Sequence, residues 1–141
     1  MIRNLLGLFG SAILLSTMTA AASAQDDMEE EANWSIAIHG GAGTIDRDKI
    51  TSEKDTEIRA ALNKALAIGS DILKDGGTAM DAVTATIIAM ENDPNFNAGK
   101  GAVFTWDKTN ELDSSIMDGS DLSAGAVAGI SGTKNPILLA R

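Results

Sequence analysis

A helical repeat of apolar residues over positions 52–75 constrains the fold more than any other feature of this sequence. Apolar residues recur there every three or four positions, and charged residues occupy the opposite side, as in an amphipathic α-helix. Ser52 with Asp55 approximates a capping box at the start, and Gly76 provides a stop at the end. The apolar positions are Ile58, Ala61, Leu62, Ala65, Leu66, Gly69, Ile72 and Leu73. The pattern predicts one long helix with a single buried side.

A second and more apolar helix is predicted over residues 78–91. Thr78 and Asp81 repeat the capping pattern at its start. Pro94 biases Asp93 away from helical geometry, so the helix should end near Glu91. Apolar residues occupy much of its circumference, which predicts a buried helix.

Strands and turns are predicted on either side of these helices. Alternating apolar residues predict a short buried strand over 34–38. After a polar loop, we expect a hairpin of strands 102–106 and 111–117 joined by 107–110, and then a small-residue strand over 124–130.

A last helix is predicted to begin at Asn135, with Pro136 in the position where proline best starts a helix. Only one turn follows before Arg141, and so short a helix is marginal in water. The sequence therefore predicts a domain that is cut short here, with a docked one-turn tail as the alternative.

The first residues have the three parts of a secretory signal. Arg3 precedes an apolar run over 5–15, and Ala22-Ser23-Ala24 offers small residues for cleavage. The run is interrupted by glycine and serine and is well short of the roughly 20 residues of a membrane-spanning helix. We expect a signal peptide over 1–24, an acidic disordered spacer over 25–33, and a periplasmic or secreted protein.

The composition excludes several functions. The 141 residues carry a formal net charge of -9, which disfavours nucleic acid and anionic membrane surfaces as partners. No cysteine is present, so packing or a non-covalent partner must hold the fold together. The single histidine, His39, excludes a His-rich metal cluster.

Two glycine-rich loops are the candidate binding elements. His39 is followed by glycines at 40, 41 and 43, which suits either an oxyanion-binding loop or a tight connection. The loop over 97–101 lacks the spacing of a phosphate-binding Walker motif, because Lys100 is followed by Gly101. Its backbone carbonyls could instead surround a hard cation such as sodium or calcium.

Other catalytic arrangements find little support. A Ser-His-Asp triad would have to use His39, and no serine lies in a G-x-S-x-G context. Glu111, Asp113 and Asp118 could be paired carboxylates, but alternating acids along a hairpin are more often its solvated face.

Five sequence blocks together are more specific than any one of them. They are 36–43 (IAIHGGAG), 96–104 (FNAGKGAVF), 111–113 (ELD), 117–119 (MDG) and 125–129 (GAVAG). Their order and spacing resemble the plant-type L-asparaginase, or isoaspartyl peptidase, family. This resemblance implies an α+β fold, the N-terminal part of an incomplete αββα sandwich of the N-terminal nucleophile (Ntn) hydrolases, over residues 34–141.

The resemblance also implies an activity. Members cut themselves before a threonine, whose freed α-amine then serves as its base. They hydrolyse asparagine and β-aspartyl dipeptides, and the complete protein would be a homodimer of α/β units without a cofactor other than a structural sodium ion. Glycosylasparaginase-like and threonine-aspartase-like enzymes are alternatives, as is a non-catalytic module that binds an ion.

Matching positions carry over one by one. Asn97 matches an asparagine that supports the region near the nucleophile, and His39, Gly40 and Gly41 match a loop that lies against the self-cleavage site. Main-chain carbonyls of a further set match the sodium site: Met90, Glu91, Asp93, Phe96, Ala98 and Lys100. Lys100 departs from the apolar residue expected there.

The threonine nucleophile of the family follows glycine and precedes Val-Gly. Three Gly-Thr pairs occur, ending at Thr44, Thr78 and Thr133, and none has that context. The resemblance therefore predicts that no catalytic nucleophile lies in this chain and that the chain alone is inactive.

Overall fold

The computed structural model describes residues 33–41 and 48–141. The predicted signal peptide and, apart from Asn33, the predicted spacer lie outside the described residues. Within them the elements are α1 (Ser52–Lys74), α2 (Ala79–Glu91), a short 3-10 helix (Gly99–Gly101), β1 (Leu112–Met117), β2 (Ala124–Ile130) and α3 (Pro136–Ala140). This combination confirms the predicted α+β class. In the described ranges, no helix is both long and apolar enough to cross a bilayer.

The two predicted helices are confirmed, with one correction at a cap. Thr51, not Ser52, caps α1, because the extended Thr51 places its Oγ1 3.2 Å from the backbone nitrogen of Lys54, which donates to it. The hydroxyl of Ser52 bonds to Glu53 instead. Thr78 caps α2 as predicted and accepts the backbone N–H of Asp81 at 3.1 Å.

Small residues bring α1 and α2 into close contact. Ala65 and Ala82 are only 2% and 1% exposed. A methyl group added at Gly69 would overlap Thr86 Oγ1 and the side chain of Ile36, so this position leaves no room for any larger residue. The small residues explain how two helices with many short side chains still form a dense interface.

The predicted strand over 34–38 is wrong as a strand, although its alternation is observed. Residues 34, 36 and 38 are half-buried, while 35 and 37 are exposed. Among the described residues, the only sheet is the pair of β1 and β2. Ile36 packs against α1 and α2, so the alternating pattern here marks contact with helices and not a ladder of backbone hydrogen bonds.

The predicted hairpin of 102–106 with 111–117 is also wrong. β1 pairs antiparallel with β2, and Ser115 faces Ala126. The amide nitrogen of Asn110 donates to the carbonyls of Ala102 and Val103, at 2.9 and 3.1 Å. These bonds take acceptors that a strand ladder would use, and 102–106 forms no strand.

The observed hairpin turns at residues 118–123. Asp118 accepts the backbone N–H of Ser120 at 2.9 Å, and Asp121 accepts that of Ser123 at 2.9 Å. A register shift lies between Leu112 and Ser114, where the Asp113 carboxylate accepts the N–H of Gly129 at 2.8 Å. Side chains therefore fix this hairpin at both ends.

The short helix α3 is docked against α2 and the sheet. Ile137 is fully buried, and Ala140 and Ile116 are 5% and 8% exposed. These three residues form the core between α2 and the sheet. The single turn is stable here because its apolar side packs on existing elements.

Candidate functional site

The loop over 92–101 folds back onto the end of α2. Asp93 Oδ1 accepts both the backbone and the side-chain N–H of Asn95, each at 2.9 Å. The side chain of Phe96 is 3% exposed and anchors the loop. Gly99 has φ +49°, and a methyl group there would overlap the carbonyl of Glu91. The loop thus lies in close contact with the last residue of the helix.

Asn97 is exposed on this loop, and its side-chain oxygen accepts a hydrogen bond. Its Oδ1 accepts the backbone N–H of Val103 at 2.9 Å, which fixes the side-chain amide. Within the described residues, Nδ2 of Asn97 has no hydrogen-bond acceptor. An oriented amide with unused N–H donors suits contact with a carbonyl oxygen or a developing oxyanion.

His39 is held by its own loop. Its Nδ1 accepts the backbone N–H of Gly41 at 3.1 Å. The Gly41 N–H is therefore already paired in this conformation. Gly40 lies next to Leu62, where a methyl group would come within 3.1 Å of the leucine.

A cavity of about 310 Å³ brings together two of the predicted blocks. His39, Met90 and Ala98 all line it. Its remaining lining residues are Ile36, Ala37, Ile38, Val83, Thr86 and Ile87. Lys100 lies elsewhere, on a second cavity of about 560 Å³ with Asn92, Gly99, Thr133 and Lys134. The first cavity is the point at which the His39 loop and the 92–101 loop meet.

Three of the backbone oxygens predicted to hold sodium, those of Asp93, Phe96 and Ala98, accept only one hydrogen bond each within the described residues. The carbonyl of Met90 accepts the backbone N–H groups of Asn92 and Asp93, and a carbonyl oxygen has two lone pairs. Asn92 Oδ1 is buried without a hydrogen bond in the described part of the chain. Oxygen donors of this kind fit a hard cation. No group of three or more acidic or histidine side chains is placed for a metal in the described residues.

The side chain of Glu91 has a role that the sequence did not indicate. It is 2% exposed, and its two oxygens accept the side-chain N–H of Asn135 at 3.0 Å and the backbone N–H of Ile137 at 3.1 Å. Burial raises the pKa of Glu91, and these two hydrogen bonds oppose the shift. The sequence predicted only that the main-chain carbonyl of Glu91 is a sodium ligand. The one feature that could have indicated a role for its side chain is the position of an acidic residue at the end of an apolar helix.

The other acidic candidates do not form a catalytic pair. Glu111 and Asp113 are exposed, as predicted, and Asp118 is half-buried. Asp113 holds Gly129 and Asp118 holds the hairpin turn. Hydrogen bonds from Ser120 lower the pKa of Asp118, so that this carboxylate is ionised and structural.

Comparison with known proteins now identifies the family. The family model described as asparaginase matches residues 32–141. This chain belongs to the asparaginase family. It is 48% identical over 106 residues to the isoaspartyl peptidase of Escherichia coli, a match that covers 75% of this chain and 33% of that protein. It is 46% identical over 107 residues to the isoaspartyl peptidase/L-asparaginase of Homo sapiens, with 75% and 33% covered.

A relative from Mus musculus, isoaspartyl peptidase/L-asparaginase, is 42% identical over 106 residues, with 75% of this chain and 31% of that protein covered. The chain therefore spans about a third of the length of the curated relatives it matches. The family is one of asparaginase and isoaspartyl peptidase hydrolases. Helices with a small antiparallel sheet are consistent with an incomplete α+β domain of the Ntn-hydrolase type.

Proposed function

We propose that this chain forms the N-terminal portion of an amidohydrolase that acts on L-asparagine and β-aspartyl dipeptides. The observation that carries the proposal is the cavity shared by His39, Met90 and Ala98. Two sequence blocks that are about 50 residues apart, 36–43 and 96–104, both contribute residues to its lining. The names of the relatives agree with this substrate class.

The proposed chemistry uses an N-terminal threonine. Its hydroxyl attacks the amide carbonyl while its α-amine accepts the proton, and ammonia or an amino acid leaves; water then releases aspartate. In this scheme Asn97 contributes its oriented amide N–H donors. His39 and its loop form a wall of the site.

We propose that the nucleophile is not among the threonines of this chain. Thr78 caps α2, and Thr133 lines the second cavity, to which His39 does not contribute. Thr44, the third candidate, lies outside the described residues. None of them precedes Val-Gly.

An assay of aspartate release tests this directly. Purified chain is incubated with L-asparagine or β-aspartyl-leucine, and free aspartate is measured over hours. We expect none above the blank. Turnover that scales with the chain's concentration would show that it contains a nucleophile and would overturn the proposal. Ligand-dependent stabilisation without turnover would instead favour a non-catalytic binding module.

We further propose a sodium ion within the loop of Met90, Glu91, Asp93, Phe96, Ala98 and Lys100. A ligand that binds only the folded state raises its stability in proportion to the logarithm of ligand concentration. The melting temperature should therefore be higher in sodium chloride than in choline chloride at equal ionic strength. Equal melting temperatures in the two salts would contradict a sodium site. Gly99→Ala, which disturbs the loop, should remove the difference.

We also propose a location and an assembly for the complete protein. The sequence of residues 1–24 supports export to the periplasm or the exterior, and the family supports a homodimer of α/β units for the complete protein. Glycosylasparaginase-like and threonine-aspartase-like activities stay as alternatives, because the part of the relatives beyond this match is not present here.

A further inference from the structure

The carboxylate of Glu91 is the one fully buried acidic side chain among the described residues, and neither the nucleophile nor the cation proposal uses it. A buried carboxylate is costly unless donors surround it. The structure supplies two donors, and both come from the start of α3, 44 and 46 residues further along the chain. Glu91 is therefore held in place by a distant segment.

The α3 side of this contact depends on Glu91 for its own start. Asn135 is the N-cap residue by position but makes no side-chain capping bond. Pro136 has no N–H, so the first backbone donor of the helix is that of Ile137, and Glu91 accepts it. Glu91 thus performs the capping that the local sequence does not.

The backbone of Glu91 also contacts the loop over 92–101. A methyl group at Gly99 would overlap the Glu91 carbonyl and come within 2.9 Å of its Cβ. The backbone of Glu91 therefore lies in direct contact with Gly99. Asn97 lies two residues before this contact, and its oxygen holds Val103 on the other side of the loop.

We propose that Glu91 is a positioning residue that fastens the Asn97 loop to α3, so that undocking α3 releases the loop and the amide of Asn97. The chain of contacts runs from Ile137 and Asn135 through the Glu91 carboxylate and backbone to Gly99, and then to Asn97. The functional meaning rests on the proposed role of Asn97. The coupling itself is measured without any activity.

Hydrogen exchange of backbone amides in the full chain tests the coupling. Asn135→Ala removes one donor to Glu91 from the α3 side, and Glu91→Gln replaces an acceptor oxygen by a donor. Losing a hydrogen bond to a charged group corresponds to about a tenfold increase in local opening. We expect about tenfold faster exchange at Ile137 and also in the loop, at Ala98, Gly101 and Val103. Amides of α1 between Ala65 and Gly69 should exchange as in the unmodified chain.

The control is Asn63→Ala, the same change at an exposed position of α1, which should leave both the loop and α3 unaffected. Faster exchange at Ile137 with an unchanged loop would overturn the proposal, because Glu91 would then cap α3 and do nothing more. Equally faster exchange throughout the chain would overturn it too, since that is a global loss of stability. If Glu91→Gln does not fold, Asn135→Ala decides. Absence of aspartate release in any assay leaves this result untouched, so the two proposals fail separately.

Discussion

The two ends of α2 each hold the segment 135–141, which contains α3, through an acidic side chain, and they do so in different surroundings. At the first turn, Asp81 Oδ1 lies 2.6 Å from Nη2 of Arg141, and the two side chains are 47% and 38% exposed. At the last residue, the carboxylate of Glu91 is 2% exposed and accepts two N–H groups, and no cationic side chain among residues 33–41 and 48–141 pairs with it. One contact is a solvated ion pair, and the other is a buried capping bond.

The pKa values of the two carboxyls shift in opposite directions. The hydrogen bond from Arg141 lowers the pKa of Asp81, with help from Thr78. Burial raises the pKa of Glu91. The environment of each carboxylate, and not the residue type, therefore decides what it contributes to the stability of the fold. The buried contact should dominate stability, because water cannot replace its donors.

The largest expected effect is that of Glu91→Ala. It leaves the N–H of Ile137 and the side chain of Asn135 without an acceptor, and opens a space beside them. We expect a loss of about 3 kcal/mol in the free energy of unfolding by urea denaturation. Glu111→Ala, at an exposed position, is the control and should change little. If Glu91→Ala and Glu111→Ala lowered the free energy of unfolding by the same small amount, the buried contact of Glu91 would not contribute more to stability than an exposed carboxylate does.

A smaller effect is expected for Ile137→Val, which tests the packing beside the Glu91 contact. Ile137 is fully buried, and removing one methyl group from such a site costs about 1 kcal/mol. Leu139→Ala, in the same helix but at a position 57% exposed, is the control. A larger loss for Leu139→Ala would mean that the other side of α3 carries the docking.

The smallest effect is expected for Arg141→Met, which keeps the apolar stem and removes the charge. The pKa of Asp81 should rise towards its ordinary value of 3.8, as measured by NMR titration. Because the folded pKa lies below the unfolded one, Asp81 stabilises the fold above pH 3.8 and loses this contribution as the pH falls through the folded value.

In Arg141→Met this acid-dependent loss should be diminished, and added salt should have the same effect on the unmodified chain. Arg59→Met, which removes an ion pair within α1, is the control and should leave the pKa of Asp81 unchanged. A pKa of Asp81 that does not move in Arg141→Met would show that the ion pair does not form in solution.

Local patterns in the sequence predicted the local structure well. The bounds of α1 and α2 follow from apolar periodicity and capping residues, which act within four positions. Thr51 was missed as a cap only because Ser52 beside it is equally suitable. The hairpin could not be predicted in the same way, because Asn110 blocks the carbonyls of Ala102 and Val103 by a side-chain bond that strand propensity ignores.

Some residues of the candidate site could likewise be predicted from the sequence, and others could not. His39, Asn97 and the carbonyl loop could be located from sequence blocks. Their meeting in one cavity required the tertiary structure, since 36–39 and 98 come together only by packing on α2. The role of Glu91 was out of reach, because its partners lie 44 and 46 residues away and nothing in the local sequence selects them.

Aspartate release after reconstitution is the most direct test of whether this chain is the N-terminal portion of an amidohydrolase. The chain is coexpressed with a polypeptide that comprises the unmatched remainder of the Escherichia coli relative, and β-aspartyl-leucine is supplied to the purified mixture. We expect aspartate only when both polypeptides are present, and less of it with Asn97→Ala than with the control Asn63→Ala. Aspartate released by the chain alone at the rate of the mixture would show that the chain contains the nucleophile and would contradict the proposed function.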